Sequence, residues 1–331
     1  MADAVDPLVL RTEIGRISLP LSLDHHTRFL TIGSCFADNI GEHLSRSKFQ
    51  VTVNPSGTTY DPLSVCRILS SSIAAQPADE TLFTERDGIW YSHNWHSSVH
   101  AGSREELKDR LSLVTSNIGA ALAGSNVLMV TLGTAFVHRH LSSGKDIANC
   151  HKLPAGNFEK RLLEVDEIVS DFTACHQELR SIRPDLRIIL SVSPVRHVRD
   201  TLPINSLSKA VLRVACDQLT RLPDVHYFPA YEIMVDDLRD YRFYADDLIH
   251  PTPLAITHIW NKFLSAAFTS EAREWVRRWE KVSRSLSHRP FHPGSEAHLG
   301  FLSTIMEELL ELRKVMDVEE EIRMVTRSLQ S

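Results

Sequence analysis

Two short segments, far apart in the sequence, carry residues that could act together in acyl transfer. Ser34 follows Gly33 at the end of the apolar run 29–32. Asp247 and His250 stand near the other end of the chain in a D-x-x-H arrangement. An aspartate that holds a histidine favours the imidazole tautomer whose free nitrogen can accept a serine proton. These residue types indicate a serine nucleophile, a histidine base and an orienting carboxylate.

The elements that must position these residues alternate as strand and helix. Apolar runs predict buried strands at 29–32, 126–132 and 187–192, and further strands are predicted at 49–53 and 225–228. Apolar residues at helical spacing predict helices at about 36–44, 62–73, 107–122, 158–182, 206–219 and 253–282. Strands separated by helices predict an α/β fold with a parallel sheet covered on both faces. Loops at the carboxyl ends of such strands gather at one edge, so Ser34 and His250 should both lie there.

Each candidate residue also has a simpler interpretation. Serine commonly caps a helix, and Ser34 alone would be assigned that role. His250 alone could cap the next helix or bond to water. A strand-to-helix turn, however, displays its side chain beside helix amides that can stabilise an oxyanion. Because both residues are predicted at one sheet edge, we favour the catalytic interpretation of the pair.

The rest of the chain divides into three predicted parts. Residues 1–27 are an irregular lead-in, and 28–265 form the α/β domain. Polar, mixed sequence at about 76–103 indicates an insertion of short strands and loops within that domain. Residues 266–331 form a helical extension, whose amphipathic segment at about 302–316 could pack on the core or on a second copy of the chain.

Composition excludes several functional classes. The 331-residue chain has a net charge of −6, which argues against a nucleic-acid-binding surface. No apolar run approaches the ~20 residues that span a bilayer, and the first residues lack a signal-peptide pattern. The five cysteines are scattered without a C-x-x-C spacing, as is typical of reduced thiols. A cytoplasmic protein without a membrane partner is therefore predicted.

Neither a metal nor a cofactor is predicted. The chain contains 17 histidines, but no H-E-x-x-H or equivalent spacing occurs among them. Cys35 could be considered as a thiol nucleophile. Because it begins the helix and should point away from Ser34, we expect it to belong to the core.

The sequence resembles the GSCFA family, which belongs to the SGNH/GDSL-like hydrolases. Residues 33–37 spell the letters GSCFA, and the similarity extends over roughly residues 28–315. Further segments that are similar to the family lie at 54–58, 131–135, 149–154, 193–200, 208–210 and 289–291. The resemblance implies a three-layer α/β/α sandwich with a flavodoxin-like sheet, and an ester-cleaving or acyl-transferring serine site.

The resemblance also implies individual roles. Ser34 would be the nucleophile, His250 the base and Asp247 its orienting carboxylate. The backbone amides of Ser34 and Gly57 would form an oxyanion hole. The wider superfamily adds an asparagine side chain to this hole, but the corresponding position here is Ala135.

Other residues could complete the site. Asn149 is the candidate replacement for the missing asparagine, because loss of such a donor typically costs ~100- to 1,000-fold in rate. Gly133 and Thr134 are candidate substrate contacts at the end of a central strand. His151 and Lys152 could contact substrate or stabilise their own loop. Arg196 could bind an anionic group, although an ion pair with Asp200 or a neighbouring helix is slightly favoured.

The leading hypothesis is an esterase that removes a short O-acyl group from a carbohydrate-like or other polar metabolite through an acyl-enzyme. An acyltransferase that uses the same triad is the first alternative. A non-catalytic binding protein on the same fold is the second, and Ala135 and the long helical tail favour it. A homodimer formed through the C-terminal helices is compatible with each.

Overall fold

Strands and helices alternate along most of the chain. The computed structural model describes residues 13–287, 292 and 294–330. In chain order, the strands are β1 (Arg28–Gly33), β2 (Gln50–Val53), β3 (Phe83–Arg86), β4 (Ile89–Ser92), β5 (His100–Ala101), β6 (Val127–Leu132), β7 (Phe136–His140), β8 (Lys145–Ile147), β9 (Phe158–Leu162), β10 (Arg187–Val192) and β11 (Val225–Tyr227). The helices are α1 (Cys35–Arg46), α2 (Pro62–Ile73), α3 (Arg104–Gly124), α4 (Val165–Ile182), α5 (Leu202–Leu219), α6 (Ala230–Glu232), α7 (Pro253–Ala267), α8 (Ser270–Ser287), α9 (Glu296–Leu312) and α10 (Glu319–Gln330).

The five strands predicted for the central sheet form one parallel sheet in the order β11-β10-β6-β1-β2. This is the flavodoxin-like strand order, in which the chain reverses its direction of travel between β1 and β6. Gly33, the last residue of β1, pairs in register with Thr131 of β6. The carboxyl ends of β1, β6 and β10 consequently lie side by side, and we call this side of the sheet the carboxyl edge. The predicted fold class is confirmed.

Side chains alternate between two cores on opposite faces of the sheet, which makes three layers. Leu30 and Ile32 pack in a cluster with the apolar residues of α2, α3, α4 and α5. Phe29 and Met129 point to the other face, where the cluster includes residues of α1 and α7. Such strands are buried on both faces, which explains their continuous apolar sequence.

Two small antiparallel sheets lie outside the central sheet. Strands β3, β4 and β5 form the first, within the predicted insertion. Strands β8, β7 and β9 form the second, which was not predicted. The helix expected at 158–182 begins only at Val165, because Phe158–Leu162 pairs with β7 as a strand.

The C-terminal helices have an apolar core of their own and dock on the α/β unit. Trp279 packs with residues of α9 and α10, and its indole N–H donates a 2.6 Å hydrogen bond to the Arg46 carbonyl. Lys48 forms a 2.7 Å ion pair with Glu321 beside it. The single helix expected at 253–282 is two helices, because the backbone of Thr269 bonds to Leu23 between them.

Some predicted features lie outside the part of the chain that the structure describes. They are the first twelve residues of the lead-in and the family-like segment at 289–291. Within the described residues, no helix has both the length and the apolar character needed to cross a bilayer.

Candidate active site at the carboxyl edge

Asp247 and His250 form a hydrogen-bonded pair on one short turn. The carboxylate oxygen Oδ2 of Asp247 lies 2.6 Å from Nδ1 of His250. The other oxygen accepts the backbone amides of His250 at 3.0 Å and of Ile249 at 2.9 Å. These bonds lower the pKa of Asp247 to about 2, and the bond from the His250 amide contributes most to the shift. The carboxylate therefore stays ionised and directs the imidazole, so Nε2 is left to accept a proton.

The turn that carries this pair is fastened next to β10. Tyr244 and Pro251 pair as a β-bridge that closes the loop. The amide of Arg196, which follows β10, approaches the Ile249 carbonyl at 3.4 Å, and the Arg196 guanidinium lies 4.0 Å from the centre of the Tyr244 ring. The side chains of His250 and Asp247 remain 50% and 46% exposed, so the imidazole is accessible from solvent.

Ser34 does not have the exposure that was predicted for it. The residue is 1% exposed, and its Oγ accepts the amide of Phe36 at 3.3 Å as the N-cap of α1. In the described chain, its hydroxyl makes no hydrogen bond with His250. The simpler interpretation of Ser34 as a helix cap therefore matches its contacts. The expectation of a displayed serine is wrong, because its side chain turns back over the first turn of α1.

Cys35, expected in the core, is instead half-buried. Burial raises the pKa of its thiol, and the charge of Asp38 raises it further. The amides at the start of α1 and the ammonium group of Lys209 act in the opposite direction on this pKa. The expectation that it would point into the core is wrong.

The two backbone amides predicted as oxyanion donors are engaged in the structure. The Ser34 amide extends the sheet ladder with a 2.9 Å bond to the Thr131 carbonyl. The Gly57 amide closes a turn with a 2.8 Å bond to the Asn54 carbonyl. Their role in an oxyanion hole stays a prediction. It requires each amide to give up its present bond and to donate to the oxyanion instead.

Asn149 and His151 fasten the insertion to the second small sheet. The side-chain amide of Asn149 donates to Ser97 Oγ at 3.3 Å, and its oxygen accepts the His151 amide at 2.8 Å. His151 is buried, bonds Ser97 Oγ and the Ser92 carbonyl, and has a pKa lowered to about 4 by burial. Lys152 is exposed. These contacts agree with the loop-stabilising alternative for His151. The oxyanion role of Asn149 and the substrate contacts of His151 and Lys152 stay predictions.

Gly133 and Thr134 shape the edge at the end of β6. Their amides both donate to the Tyr60 carbonyl, at 2.7 and 3.1 Å. A Cβ on Gly133 would lie 2.9 Å from the Tyr60 ring, so glycine permits this close approach. Ala135 is fully buried, and its amide donates to Ser208 Oγ at 2.8 Å. A long polar side chain at this position would therefore enter the packed interior.

Arg196 does not pair with Asp200, one of the two kinds of partner favoured from sequence. Asp200 instead forms an ion pair with Lys160. The stacking on Tyr244 leaves the guanidinium beside the loop of the Asp247–His250 pair. Its predicted role as a substrate contact stays compatible with that position.

Comparison with known families identifies the chain. The family model described as "GSCFA family" matches residues 28–263, and the model "GSCFA domain protein, C-terminal domain" matches residues 279–331. The chain belongs to the GSCFA family. A comparison with curated proteins gives no match.

Solved structures to which this GSCFA chain is similar include esterases. A family 3 carbohydrate esterase of Clostridium thermocellum is 10% identical, with 76% of this chain and 97% of that chain covered and a TM-score of 0.35. A family 3 carbohydrate esterase from Talaromyces cellulolyticus is 8% identical, with 77% and 99% covered and a TM-score of 0.34. An acetyl xylan esterase from Butyrivibrio proteoclasticus is 13% identical, with 74% and 64% covered and a TM-score of 0.32.

Sequence reasoning missed Lys209, which is 1% exposed beneath the carboxyl edge. Its ammonium group donates to the carbonyls of Gly133, at 2.7 Å, and Ser193, at 2.8 Å, and thus links the ends of β6 and β10. Burial lowers the pKa of Lys209 to about 7. A signal was available, because Lys209 shares the buried face of α5 with Asn205 and Leu212, four residues before and three after it.

Further polar side chains line the same edge. The rings of Tyr60 and His197 meet edge to face with their centres 5.7 Å apart. Burial lowers the pKa of His197 to about 4, and the positive charge of Lys209 is the second-largest cause of this shift. Gly57 lies against His96, since a Cβ there would be 2.8 Å from that side chain. The edge therefore offers hydrogen-bonding side chains around the ends of β1 and β6.

Proposed function

We propose that this protein hydrolyses an acyl ester at the carboxyl edge through a covalent acyl-enzyme. His250 acts as the base, and Asp247 holds its imidazole in the reactive tautomer. The nucleophile comes from the turn between β1 and α1, where the sequence predicts Ser34. The amides at the start of α1 stabilise the oxyanion that forms beside them.

The hydrogen bond between Asp247 and His250 is the observation that carries this proposal. A 2.6 Å bond to a carboxylate of low pKa orients one ring nitrogen and leaves the other as a base. The half-exposed imidazole favours water as the second acceptor, since transfer to another alcohol or amine needs a site that excludes water. We therefore favour hydrolysis over acyl transfer.

A short O-acyl group on a carbohydrate-like or other polar alcohol is the proposed substrate class. The supporting observation is the polar character of the edge, where Tyr60, His96 and Arg196 present hydrogen-bonding groups on or beside it. Such groups suit a hydroxyl-rich leaving group better than a long acyl chain, which needs an apolar pocket.

Hydrolysis of p-nitrophenyl acetate tests the proposed function. We expect the wild-type protein to release p-nitrophenol and His250→Ala to lose ~100-fold or more of kcat/KM, since general base catalysis contributes that much. We expect Asp247→Asn to lower kcat as well. Equal rates for wild type and His250→Ala would contradict the proposal and favour a non-catalytic role.

A further inference from the structure

We infer that His96 supplies the side-chain donor of the oxyanion hole, through the N–H group at Nε2. This inference rests on the function proposed above and assigns a further catalytic residue to it. The wider superfamily uses an asparagine side chain as this donor, and Ala135 stands at the corresponding position here. A replacement donor must therefore come from another segment that reaches the start of α1.

The donors predicted from the sequence are already bonded within the protein. The Ser34 and Gly57 amides donate to backbone carbonyls, at 2.9 and 2.8 Å. The side-chain amide of Asn149 donates to Ser97 Oγ at 3.3 Å. Asn149 thereby fastens the residue that follows His96, and it leaves the role of free donor to a neighbouring side chain.

Backbone contacts place His96 beside the turn between β1 and α1. The loop 54–59 is clasped to Gly33, whose amide donates to Oδ1 of Asn54 at 3.1 Å and whose carbonyl accepts the Thr59 amide at 2.8 Å. Gly57 lies within this loop with a φ of 69°. A Cβ on Gly57 would lie 2.8 Å from Cβ of His96 and 2.9 Å from its Nδ1. The imidazole therefore rests on the backbone of the predicted oxyanion hole.

Ser98 fixes the tautomer of the His96 ring. The Ser98 amide donates to Nδ1 at 3.2 Å, and Ser98 Oγ lies 2.9 Å from the same atom. A nitrogen that accepts an amide N–H carries no proton, so the neutral ring has its proton on Nε2. Burial lowers the pKa of His96 and favours this neutral form, although the charge of Asp38 opposes part of the shift. Among the residues that the structure describes, none forms a hydrogen bond with Nε2.

The segment around His96 is held in place, while the ring stays accessible. The Val99 amide donates to the His96 carbonyl at 3.0 Å, and Ser97 Oγ lies 3.0 Å from Nδ1 of the buried His151. The His96 side chain is only half-buried, so a substrate can reach it. A donor that is fixed before the substrate arrives needs no reorganisation when the oxyanion forms.

The Nε2–H group acts when the ester carbonyl becomes tetrahedral. The Oγ of the nucleophile, predicted as Ser34, attacks the carbonyl carbon, its proton passes to Nε2 of His250, and the carbonyl oxygen becomes negative. His96 donates a hydrogen bond to that oxygen and keeps its own proton throughout. The carbon–oxygen bond of the ester then breaks, and His250 gives its proton to the departing alkoxide. Water attacks the acyl-enzyme in the same way and releases the carboxylic acid.

Kinetics with p-nitrophenyl acetate test the donor role in the full-length protein. His96→Phe keeps a ring against Gly57 but has no N–H group. We expect its kcat and kcat/KM to fall by the same factor of ~100 to 1,000, as for a hydrogen bond that is made only in the transition state. We expect His96→Gln, which restores a side-chain N–H, to be at least about tenfold more active than His96→Phe. Thermal unfolding curves establish that each variant is folded.

Two further variants separate this role from its alternatives. His100→Phe is the matched control, since His100 is an exposed histidine of the same insertion, and it should stay within about twofold of wild type. If His96→Phe keeps the wild-type kcat, or if His96→Gln is no more active than His96→Phe, the ring only packs against Gly57 and the inference is wrong. A larger loss of kcat in Asn149→Ala than in His96→Phe would assign the donor to Asn149 and would also overturn it.

Nuclear magnetic resonance of ¹⁵N-histidine-labelled protein provides a readout that is independent of activity. The spectrum of His96→Gln identifies the His96 signals by their absence. At about pH 7.5 we expect a proton on Nε2 and none on Nδ1, because the Ser98 amide occupies Nδ1. A proton on Nδ1 would contradict the inference, since Nε2 would then have no hydrogen to donate.

Failure of this inference is distinguishable from failure of the proposed function. If hydrolysis depends on His250 but not on His96, the assignment of His96 is wrong and the proposed function stands. If no hydrolysis depends on His250, the proposed function fails, and the assignment of His96 fails with it whatever its tautomer.

Discussion

Gly33 ends β1 with a φ of 133°, and a Cβ at this residue would lie 2.2 Å from the Thr131 carbonyl oxygen. Only glycine tolerates this combination of dihedral angle and close approach. Ser34 then takes extended dihedrals, and its side chain folds back to cap α1. Cys35 follows as the first helical residue. One step of backbone geometry thus separates a buried serine from a half-buried cysteine.

The capping role of Ser34 predicts a stability effect. Ser34→Ala removes the acceptor of the Phe36 amide, so we expect the free energy of unfolding in urea to fall by about 1 kcal/mol. Ser103→Ala is the matched control, because Ser103 caps α3 through a 3.1 Å bond from the Glu106 amide. A similar loss in both variants is expected; an unchanged free energy in Ser34→Ala would refute the capping role.

The sequence was a good guide to the His250 side of the site and a poor guide to the Ser34 side. The D-x-x-H spacing confines both groups to one turn, and the structure joins them at 2.6 Å. The spacing of residues at the β1–α1 turn places the end of the strand at Gly33, but it does not reveal how deeply each following side chain is covered. The burial of Ser34, the partial burial of Cys35 and the packing of Lys209 under distant strands all depend on the tertiary structure.

Among the elements, those with apolar sequence were predictable and those with polar sequence were not. Strands β1, β6 and β10 are buried on both faces, so each is a continuous apolar run. Strand β9 has the sequence FEKRL and is only partly covered. Its register is fixed by pairing with β7, which no local pattern reveals. The spacing of apolar residues alone therefore predicts a helix that begins at Phe158, before the observed start of α4 at Val165.

The docking of α8 predicts the effect of a change at Trp279. Trp279→Phe removes the indole N–H that bonds the Arg46 carbonyl, and we expect a loss of about 1–2 kcal/mol in the free energy of unfolding. Trp275→Phe is the control on the same helix, since Trp275 is half-buried and its ring meets the guanidinium of Arg278. Hydrogen exchange across α8, α9 and α10 should be faster in Trp279→Phe alone. Equal exchange in both variants would mean that this bond does not fasten the C-terminal helices.

Across the whole molecule, burial lowers the pKa of many histidines. They are His25, His43, His93, His96, His138, His151, His197 and His226. A histidine of lowered pKa stays neutral in the folded protein while the unfolded chain takes up a proton below about pH 6.5. Burial raises the pKa of Asp38, Asp61 and Asp171, which offsets part of this effect. The histidines make the fold sensitive to mild acid.

Substitution of His151 measures this sensitivity at one residue. Its pKa of about 4 in the folded protein means that its contribution to stability is lost as the pH falls from about 6.5 to about 4, by up to about 3 kcal/mol. His151→Gln cannot take up that proton, so we expect its unfolding free energy, relative to its own value at pH 7.5, to fall less steeply than that of wild type. His26→Gln changes an exposed histidine and should follow the wild-type curve. Urea denaturation of the three proteins between pH 7.5 and 4.5 provides the measurement. Parallel curves for His151→Gln and wild type would show that protonation of His151 does not drive the acid sensitivity.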